Sequence, residues 1–596
     1  MQYEPTTITK LVDYGLDINQ TGVAASTKRK GTWNETSVED FQTKARHLAL
    51  GLYSRGIQKG DRVSVHAENS TEWILCDYAI LAIGAINVPI YTTQPGDQIK
   101  YILENSEAKL HIFSTDELYE HLKPHVDDIE TLESIITIHG TEGGKVGSLQ
   151  KCIDEGKQLD KKEPETFQRL KDEVKPDDLA SFIYTSGTTG PPKGVMLTHN
   201  NIASNIYAAL ERVPFDNQSQ RHLKMLSFLP LSHIFERMLD YTYIHMGYPI
   251  YYIETLDEIV DDIKLVKPNF FATVPRLLEK VYAKMKSKPD ELSGLKKKLF
   301  IWALNYAEKR DIEQPPSGLK YKIADKLIYS KLRDALGGNL IGMISGGAAL
   351  SAKMMQFFNG IGFYCGQGYG LTETSPVISV TDRENLRIGS VGKLITGVEV
   401  KIADDGEIIT RGPNVMKGYY KMPEATKEVF DGDWFKTGDI GYIDDDGFLY
   451  VTDRKKDLFK LSTGKYVAPQ NIENLLANHK YIEQASVVGN AAKFCGALIV
   501  PAFEAIGEKL SIDPSDKEKI VKSAQAKQLI RNAVDEINQG LAEWEQVKNF
   551  SIIEKPFTID DGELTPTMKM KRRVIQEKYS KEIEKIYEAD YSSEVQ

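Results

Sequence analysis

Short β-branched runs alternate with helical periods along the first half of this chain. Asp61-Arg-Val-Ser-Val-His66 has a strand-like pattern, Thr71–Ile83 a helical one, Ile86-Asn-Val-Pro-Ile-Tyr91 the next strand and His111–Ser114 another. Alternation of this kind predicts βαβ units around a parallel sheet. The rhythm returns in Leu179–Thr185, Lys224–Leu229, Ile341–Ser345 and around Phe363–Gly366. From about Gly392 the texture changes. Strand-like pieces (Val398–Ile402, Glu407–Thr410, Phe448–Val451) are separated by turns at Asp405-Gly406 and Asp446-Gly447, which predicts a β-rich subdomain over about 392–453. Beyond Asp453 the pattern returns to α/β, with a helix over Pro469–Ala477 and strands at Ala485–Val488 and Ala497–Pro501. Ser511–Glu545 is charged with a helical period and reads as a solvated amphipathic hairpin. The fold class expected is therefore α/β: a large N-terminal domain over 1–453, built of parallel-sheet βαβ subdomains plus the β-rich subdomain, and a small α+β C-terminal domain over 454–596.

Composition narrows this picture. A chain of 596 residues exceeds what one compact core organises. A net charge of −11 and a pI near 5.7 give no reason to expect nucleic acid and argue against general adhesion to anionic membranes, while leaving room for a local basic patch. Cys76, Cys152, Cys365 and Cys495 are scattered, without a CxxC or a nearby histidine cluster, so a reducing cytoplasm fits better than a disulfide framework or a zinc site. No basic start followed by an apolar core opens the chain. Tyr78–Tyr91, the strongest apolar stretch, is shorter than the roughly 20 residues a bilayer span needs and predicts a buried helix running into a strand. Membrane contact, if made, is peripheral, on the inner face. Oligomeric state is not legible.

The chemistry starts with Tyr184-Thr-Ser-Gly-Thr-Thr-Gly-Pro-Pro-Lys-Gly194, which follows the apolar strand Ala180-Ser-Phe-Ile-Tyr184. Gly187, Gly190 and Gly194 let the backbone approach a polyphosphate. The hydroxyls of Thr185, Ser186, Thr188 and Thr189 can donate to its oxygens, and Lys193 adds a charge. The loop is not a Walker A motif, because Pro192 precedes Lys193 and Gly194 follows it, so a P-loop kinase or GTPase is disfavoured. It closely resembles the hallmark YTSGTTGxPKG of the adenylate-forming (AMP-binding) superfamily. The resemblance runs from about Asp40 to Val574.

That resemblance carries further expectations. Ser345-Gly-Gly-Ala-Ala-Leu350, with Gly346, Gly347 and Ala348, would line the adenine pocket. Gly366-Gln-Gly-Tyr-Gly-Leu-Thr-Glu373 matches the family's YGxTE motif and brings Gln367, Gly368, Tyr369 and Gly370 to the nucleotide, Tyr369 by stacking on adenine. Thr372 would bond a phosphate oxygen, and Glu373 would ligate Mg²⁺ together with Thr185. Asp439, in Thr437-Gly-Asp439, suits both ribose hydroxyls, and Arg454 is the second ribose contact. The run from Asp431 through Asp439 to Lys456 looks like the fatty-acyl-CoA synthetase signature. Arg411 is expected to be structural. His233, in Leu229-Pro-Leu-Ser-His-Ile-Phe235, either serves the acyl site, placing the carboxylate or gating the tunnel, or is a satisfied packing residue.

In the same family the C-terminal domain is mobile. Lys456 would be its pivot, Gly464 would face the pantetheine tunnel of coenzyme A after rotation, and Lys569, in Leu564-Thr-Pro-Thr-Met-Lys569, would be the catalytic lysine, with Lys571 a near neighbour. The implied function is ATP-dependent activation of a long-chain fatty acid through acyl-AMP and transfer to coenzyme A. The competing readings are delivery to an acyl carrier protein, an adenylate-binding sensor without turnover, and a kinase releasing ADP.

Overall fold

The computed structural model describes residues 3–185, 191–212, 222–314, 316–384, 386–559, 561–565 and 569–591, the last three as backbone only. Two large sheets dominate the first four hundred residues. In the eight-stranded sheet, Leu179–Thr185 lies between Lys193–Thr198 and Ile86–Ile90, followed by Arg62–His66, Ala108–Phe113, Ser134–Thr137 and Val146–Ser148. Its pairs are parallel except at the end where Lys193–Thr198 turns back on Leu179–Thr185. The nine-stranded sheet has a parallel centre running Val23–Arg29, Ile250–Tyr252, Met225–Ser227, Phe270–Thr273, Gly342–Ser345 and Tyr364–Gly370, with antiparallel strands at both edges.

Between them lies the helix Thr71–Ala82. Its sequence TEWILCDYAILA has no polar face, and every residue but Glu72 is buried. A helix apolar all round is stable only with partners on all sides, and this one packs on Arg62–His66 and Ile86–Ile90 of one sheet and on Val23–Arg29 of the other. The Ser70 hydroxyl caps it by accepting from the Trp73 N–H. The helix passes through Gly84, in the left-handed region at φ +73°, into the buried strand Ile86–Ile90, as the apolar stretch predicts. A second wholly buried helix, Ile234–His245, begins directly after His233.

The two helices are joined by charge. Arg237 and Asp77 side chains are both fully buried, with Nη2 2.6 Å from Oδ1 and Nε donating to Oδ2 at 2.7 Å. The remaining valences are met by the Tyr241 hydroxyl, by Asn87 Nδ2 at 2.6 Å and by Ser181 Oγ, which accepts from Arg237 Nη1 at 2.8 Å. Ser181 sits in the strand that ends at Thr185, so one ion pair ties the phosphate-loop strand to the helix behind His233.

Glu399–Ile402, Glu407–Arg411, Trp434–Ile443, Phe430–Asp431 and Leu449–Arg454 form a separate five-stranded antiparallel sheet. The last part has a core of its own between Leu461 and Ile586, around the sheet Ile482–Val488, Cys495–Pro501 and Val547–Ile552. Within 511–545 the structure differs from a merely solvated hairpin. The helices Lys517–Lys522 and Ala524–Asn538 bury Ile520, Ile530 and Val534 in that core, so their apolar stripe does the work of packing. No helix among the described residues is long and apolar enough to cross a membrane.

Removing one member of the buried pair strands the other. Asp77→Ala is expected to cost about 3–5 kcal/mol, read as a lowered urea midpoint, with D77L/R237M recovering much of the loss. A single-variant loss below roughly 0.5 kcal/mol, the scale of an ordinary surface substitution, contradicts the assignment.

Candidate active site

The strands Leu179–Thr185 and Lys193–Thr198 set Thr185 opposite Lys193 and Tyr184 opposite Gly194. Ser186, Gly187, Thr188, Thr189 and Gly190 lie outside the described residues. Gly418–Tyr419 adds to the far side of the second strand. Tyr419 thereby becomes a bridge: Lys193 Nζ stands 4.7 Å over its ring, and its hydroxyl donates to Glu373 Oε1 at 2.8 Å. Burial and the Glu373 carboxylate hold the Tyr419 hydroxyl in its protonated form. No motif pointed to Tyr419, whose role comes from strand pairing across more than two hundred residues.

Glu373 occupies a single 3-10 turn, Thr372–Thr374, closed by Ser375 in the left-handed region. Asn414 Nδ2 donates to Thr374 O at 3.0 Å, Asn205 Nδ2 donates to Val377 O at 2.8 Å, and the Met416 N–H donates to Glu373 O at 2.9 Å. Gly370 has to be glycine, since a Cβ there would lie 1.8 Å from Pro376 O. The carboxylate is thus held rigidly, half-buried, on a strand end running in from Tyr364.

Asp439 and Arg454 face each other across the strands Trp434–Ile443 and Leu449–Arg454, with Arg454 Nε 3.1 Å from Asp439 Oδ1. The Tyr369 hydroxyl donates to Asp439 Oδ2 at 2.8 Å. Asp439 is only 3% exposed. Burial raises its pKa, while Arg454, the Tyr369 hydroxyl and Lys569 pull the other way.

Gly346–Ala348 follow the strand Gly342–Ser345, with Gly347 and Ala348 exposed. A Cβ on Gly346 would lie 2.6 Å from the Phe235 ring, so this loop abuts the segment that begins at His233. The Gln367 side chain turns toward the backbone behind this loop. Its buried amide accepts from Leu350 N at 3.1 Å and donates to Ser390 O at 2.6 Å, bracing the loop from behind. Gly368 and Thr372 lie half-buried on either side of Tyr369 and Gly370.

His233 caps the helix Ile234–His245, its Nδ1 accepting from the Phe235 N–H at 3.1 Å. Burial and the nearby Lys569 push its pKa down to about 4. The ring is therefore neutral at ordinary pH, and with Nδ1 accepting, the proton sits on Nε2.

Lys569 comes from the other end of the chain. Its backbone is fixed by Thr565, whose N–H donates to Lys569 O at 2.8 Å and whose hydroxyl accepts from Lys569 N at 3.0 Å. Two buried carboxylates hold the surrounding loop. Glu563 accepts from the Tyr579 hydroxyl and the Thr558 N–H, and Glu473 accepts from Arg572 Nη2 at 2.6 Å. Crowding by protein lowers the Lys569 pKa and Arg454 adds to the effect, with Asp439, Glu373 and Asp457 opposing. The side chain remains open to solvent along the cleft. Lys571 instead sits at the start of the helix Arg572–Lys578, its N–H on Glu563 O.

Thr185, Lys193, Glu373, Tyr369, Asp439, Arg454, His233 and Lys569 are thus linked through direct bonds, strand pairing or mutual electrostatic influence. Lys456 is exposed in the turn just past Arg454. Gly464 lies in an exposed turn, φ +86°, between Phe459–Lys460 and Tyr466–Val467, and among the described residues no interaction links it to the Asp439 group. No cluster of three or more His, Cys, Asp or Glu able to hold a metal occurs among the described residues. Glu373 offers one rigid carboxylate, and the strand following the phosphate loop runs beside its turn. That donor set fits Mg²⁺, which binds through one or two carboxylates plus phosphate oxygens and water.

A braced carboxylate, an Asp–Arg pair and a lysine delivered by the C-terminal part of the chain are brought together here. The AMP-binding enzyme family profile matches residues 19–420, and the AMP-binding enzyme C-terminal domain profile matches 456–591. The chain belongs to the AMP-binding enzymes. It is 36% identical over 569 residues to the long-chain-fatty-acid–CoA ligase FadD15 of Mycobacterium tuberculosis, covering 94% of this chain and 93% of that protein. It is 32% identical to the peroxisomal long chain acyl-CoA synthetase 6 of Arabidopsis thaliana, over 91% and 80%. The fold is shared with the A domain of a carboxylic acid reductase from Segniliparus rugosus in complex with AMP and a carboxylic acid, with a TM-score of 0.75, 20% identity and coverage of 99% and 95%.

The crowding around Lys569 has a kinetic consequence. Adenylation that needs its ammonium is expected to fall with rising pH at values below the ordinary lysine pKa of about 10.4. Lys569→Arg, whose cation does not titrate in that range, should shift or abolish this limb. Pyrophosphate release measured against pH tests this; an identical alkaline limb in the variant contradicts it.

Proposed function

We propose that this protein is a long-chain fatty acid–CoA ligase of the AMP-forming type. The observation that carries the reading is a lysine of the C-terminal unit, Lys569, standing within the electrostatic reach of Glu373, Asp439 and Arg454 of the large unit, in a chain 36% identical to a long-chain-fatty-acid–CoA ligase.

In the first half-reaction the fatty acid carboxylate oxygen bonds to the α-phosphorus of ATP, and the bond from that phosphorus to the bridging oxygen breaks, releasing pyrophosphate. In the second, the coenzyme A thiol loses its proton and its sulfur bonds to the acyl carbon, and AMP leaves. The protein contributes chiefly position and charge. Asp439 and Arg454 hold the ribose, Tyr369 and the 346–348 loop the adenine, and Thr185 and Lys193 the phosphates. Neutral His233 offers its Nε2–H at the acyl end. Lys569 offsets the charge that builds between carboxylate and α-phosphate, a contribution worth roughly 10²–10³ in rate. Glu373 and Thr185 would hold Mg²⁺, which would supply positive charge to the phosphates. Rotation about Lys456 then withdraws Lys569 and brings the Gly464 turn to the pantetheine side, so one cleft serves both steps. The location that fits is cytoplasmic, peripheral on the inner face of the membrane.

The test is product analysis across straight-chain acids from acetate upward, with and without coenzyme A. AMP and acyl-CoA are expected, with kcat/KM rising about fourfold per added methylene, the equivalent of about 0.8 kcal/mol, until the acyl channel is filled. ADP would indicate a kinase. AMP and acyl-AMP that no addition of coenzyme A converts to acyl-CoA would favour a carrier-protein acceptor.

A further inference from the structure

The outward sides of two neighbouring helical segments carry large apolar side chains together with lysines that form no ion pair among the described residues. On the helix Gly294–Ala307, Leu295 is 86% exposed and Ile301 39%. On the continuous run from Gly318 to Asp334, Leu319, Ile323 and Leu327 follow one another at i, i+4 spacing, 75%, 40% and 40% exposed. These are not core residues left loose. The inward sides of the same helices bury Phe300, Leu304, Ile328 and Leu332, and the Tyr329 hydroxyl donates to Ala303 O at 2.6 Å, joining the two segments.

Lys296 and Lys298 stand near Leu295 in the chain, and Lys320, Lys322, Lys326 and Lys331 accompany the ridge of Leu319, Ile323 and Leu327, all exposed. The ion pairs of this region use other cations, Lys286–Glu308, Lys288–Glu291, Lys297–Asp290 and Arg333–Asp325. Residues 294–333 hold ten Lys and Arg against four Asp and Glu, in a chain of net charge −11. The acidity of the whole therefore conceals a cationic face.

We propose that this face is a membrane-docking surface for anionic bilayers. The apolar ridges enter the boundary between head groups and acyl chains, and the lysines, on flexible stems, meet the lipid phosphates. An acidic protein would answer the lysines but leave the exposed Leu295, Leu319, Ile323 and Leu327 without matching partners; fluid acyl chains accommodate them at any spacing. Docking here is independent of how the catalytic cleft is read.

The test is co-sedimentation of the full chain with vesicles of phosphatidylcholine, alone or mixed with phosphatidylglycerol. Binding is expected to the mixed vesicles and to weaken at high salt. K320E/K322E/K326E/K331E and L319S/I323S/L327S should each lower partition at least about tenfold, with thermal midpoint and AMP release from detergent-dispersed fatty acid unchanged. If the charge-reversed protein is unstable, Lys→Gln at the same four positions makes the same comparison. Failure of the unaltered protein to bind mixed vesicles, or undiminished binding by either variant, overturns the proposal. So does lysine-dependent retention by an acidic carrier protein without vesicle binding, which would assign the face to a protein partner.

Discussion

The buried pair Arg237–Asp77 is the joint on which the cleft depends. Two opposite charges taken fully out of water need further hydrogen bonds to be tolerable, and here Tyr241, Asn87 and Ser181 supply them. The pair fixes more than stability. Ser181 lies on the strand that ends at Thr185, and Arg237 on the helix capped by His233. The end of that strand at Thr185 and the start of that helix at His233 are therefore tied to one buried network.

Within that frame the cations Lys193, Arg454 and Lys569 face the carboxylates Glu373, Asp439 and Asp457. Glu373 and Asp439 each share an oxygen with a tyrosine hydroxyl. Burial raises the Asp439 pKa, and crowding by surrounding protein lowers that of Lys569, so each charge is maintained partly by the other. In the proposed mechanism a lysine carried on the C-terminal part brings charge in for one step and takes it away for the next, while two buried carboxylates, Glu563 and Glu473, hold its loop.

Much of the fold was legible because its elements announce themselves locally. Strands such as Arg62–His66 and the helix Thr71–Ala82 are buried on all sides, which leaves continuous apolar runs between turn residues. The strands Val23–Arg29, Ile250–Tyr252 and Phe270–Thr273 escaped notice because they are short or carry polar residues such as Ser26, Thr27 and Lys28 that are nonetheless buried. In the cleft, motifs pointed to residues on single loops. Tyr419, which bonds Glu373 from 46 positions away, and Asn205 and Asn414, which converge on one turn, depend on long-range pairing that no local spacing encodes. Gln367 belongs to a motif, yet its side chain faces the backbone behind the loop; sequence places a residue on a strand but does not say which way its amide turns. The cationic face over 294–333 was hidden for another reason, since net charge averages over the whole surface.

The central claim is that Lys569 serves one half-reaction only. The direct measurement is Lys569→Ala assayed separately for pyrophosphate release from ATP and fatty acid, and for acyl-CoA formation from supplied acyl-AMP. The account predicts a loss of roughly 10²–10³ in the first and a rate near that of the unaltered protein in the second. Equal losses in both would contradict it.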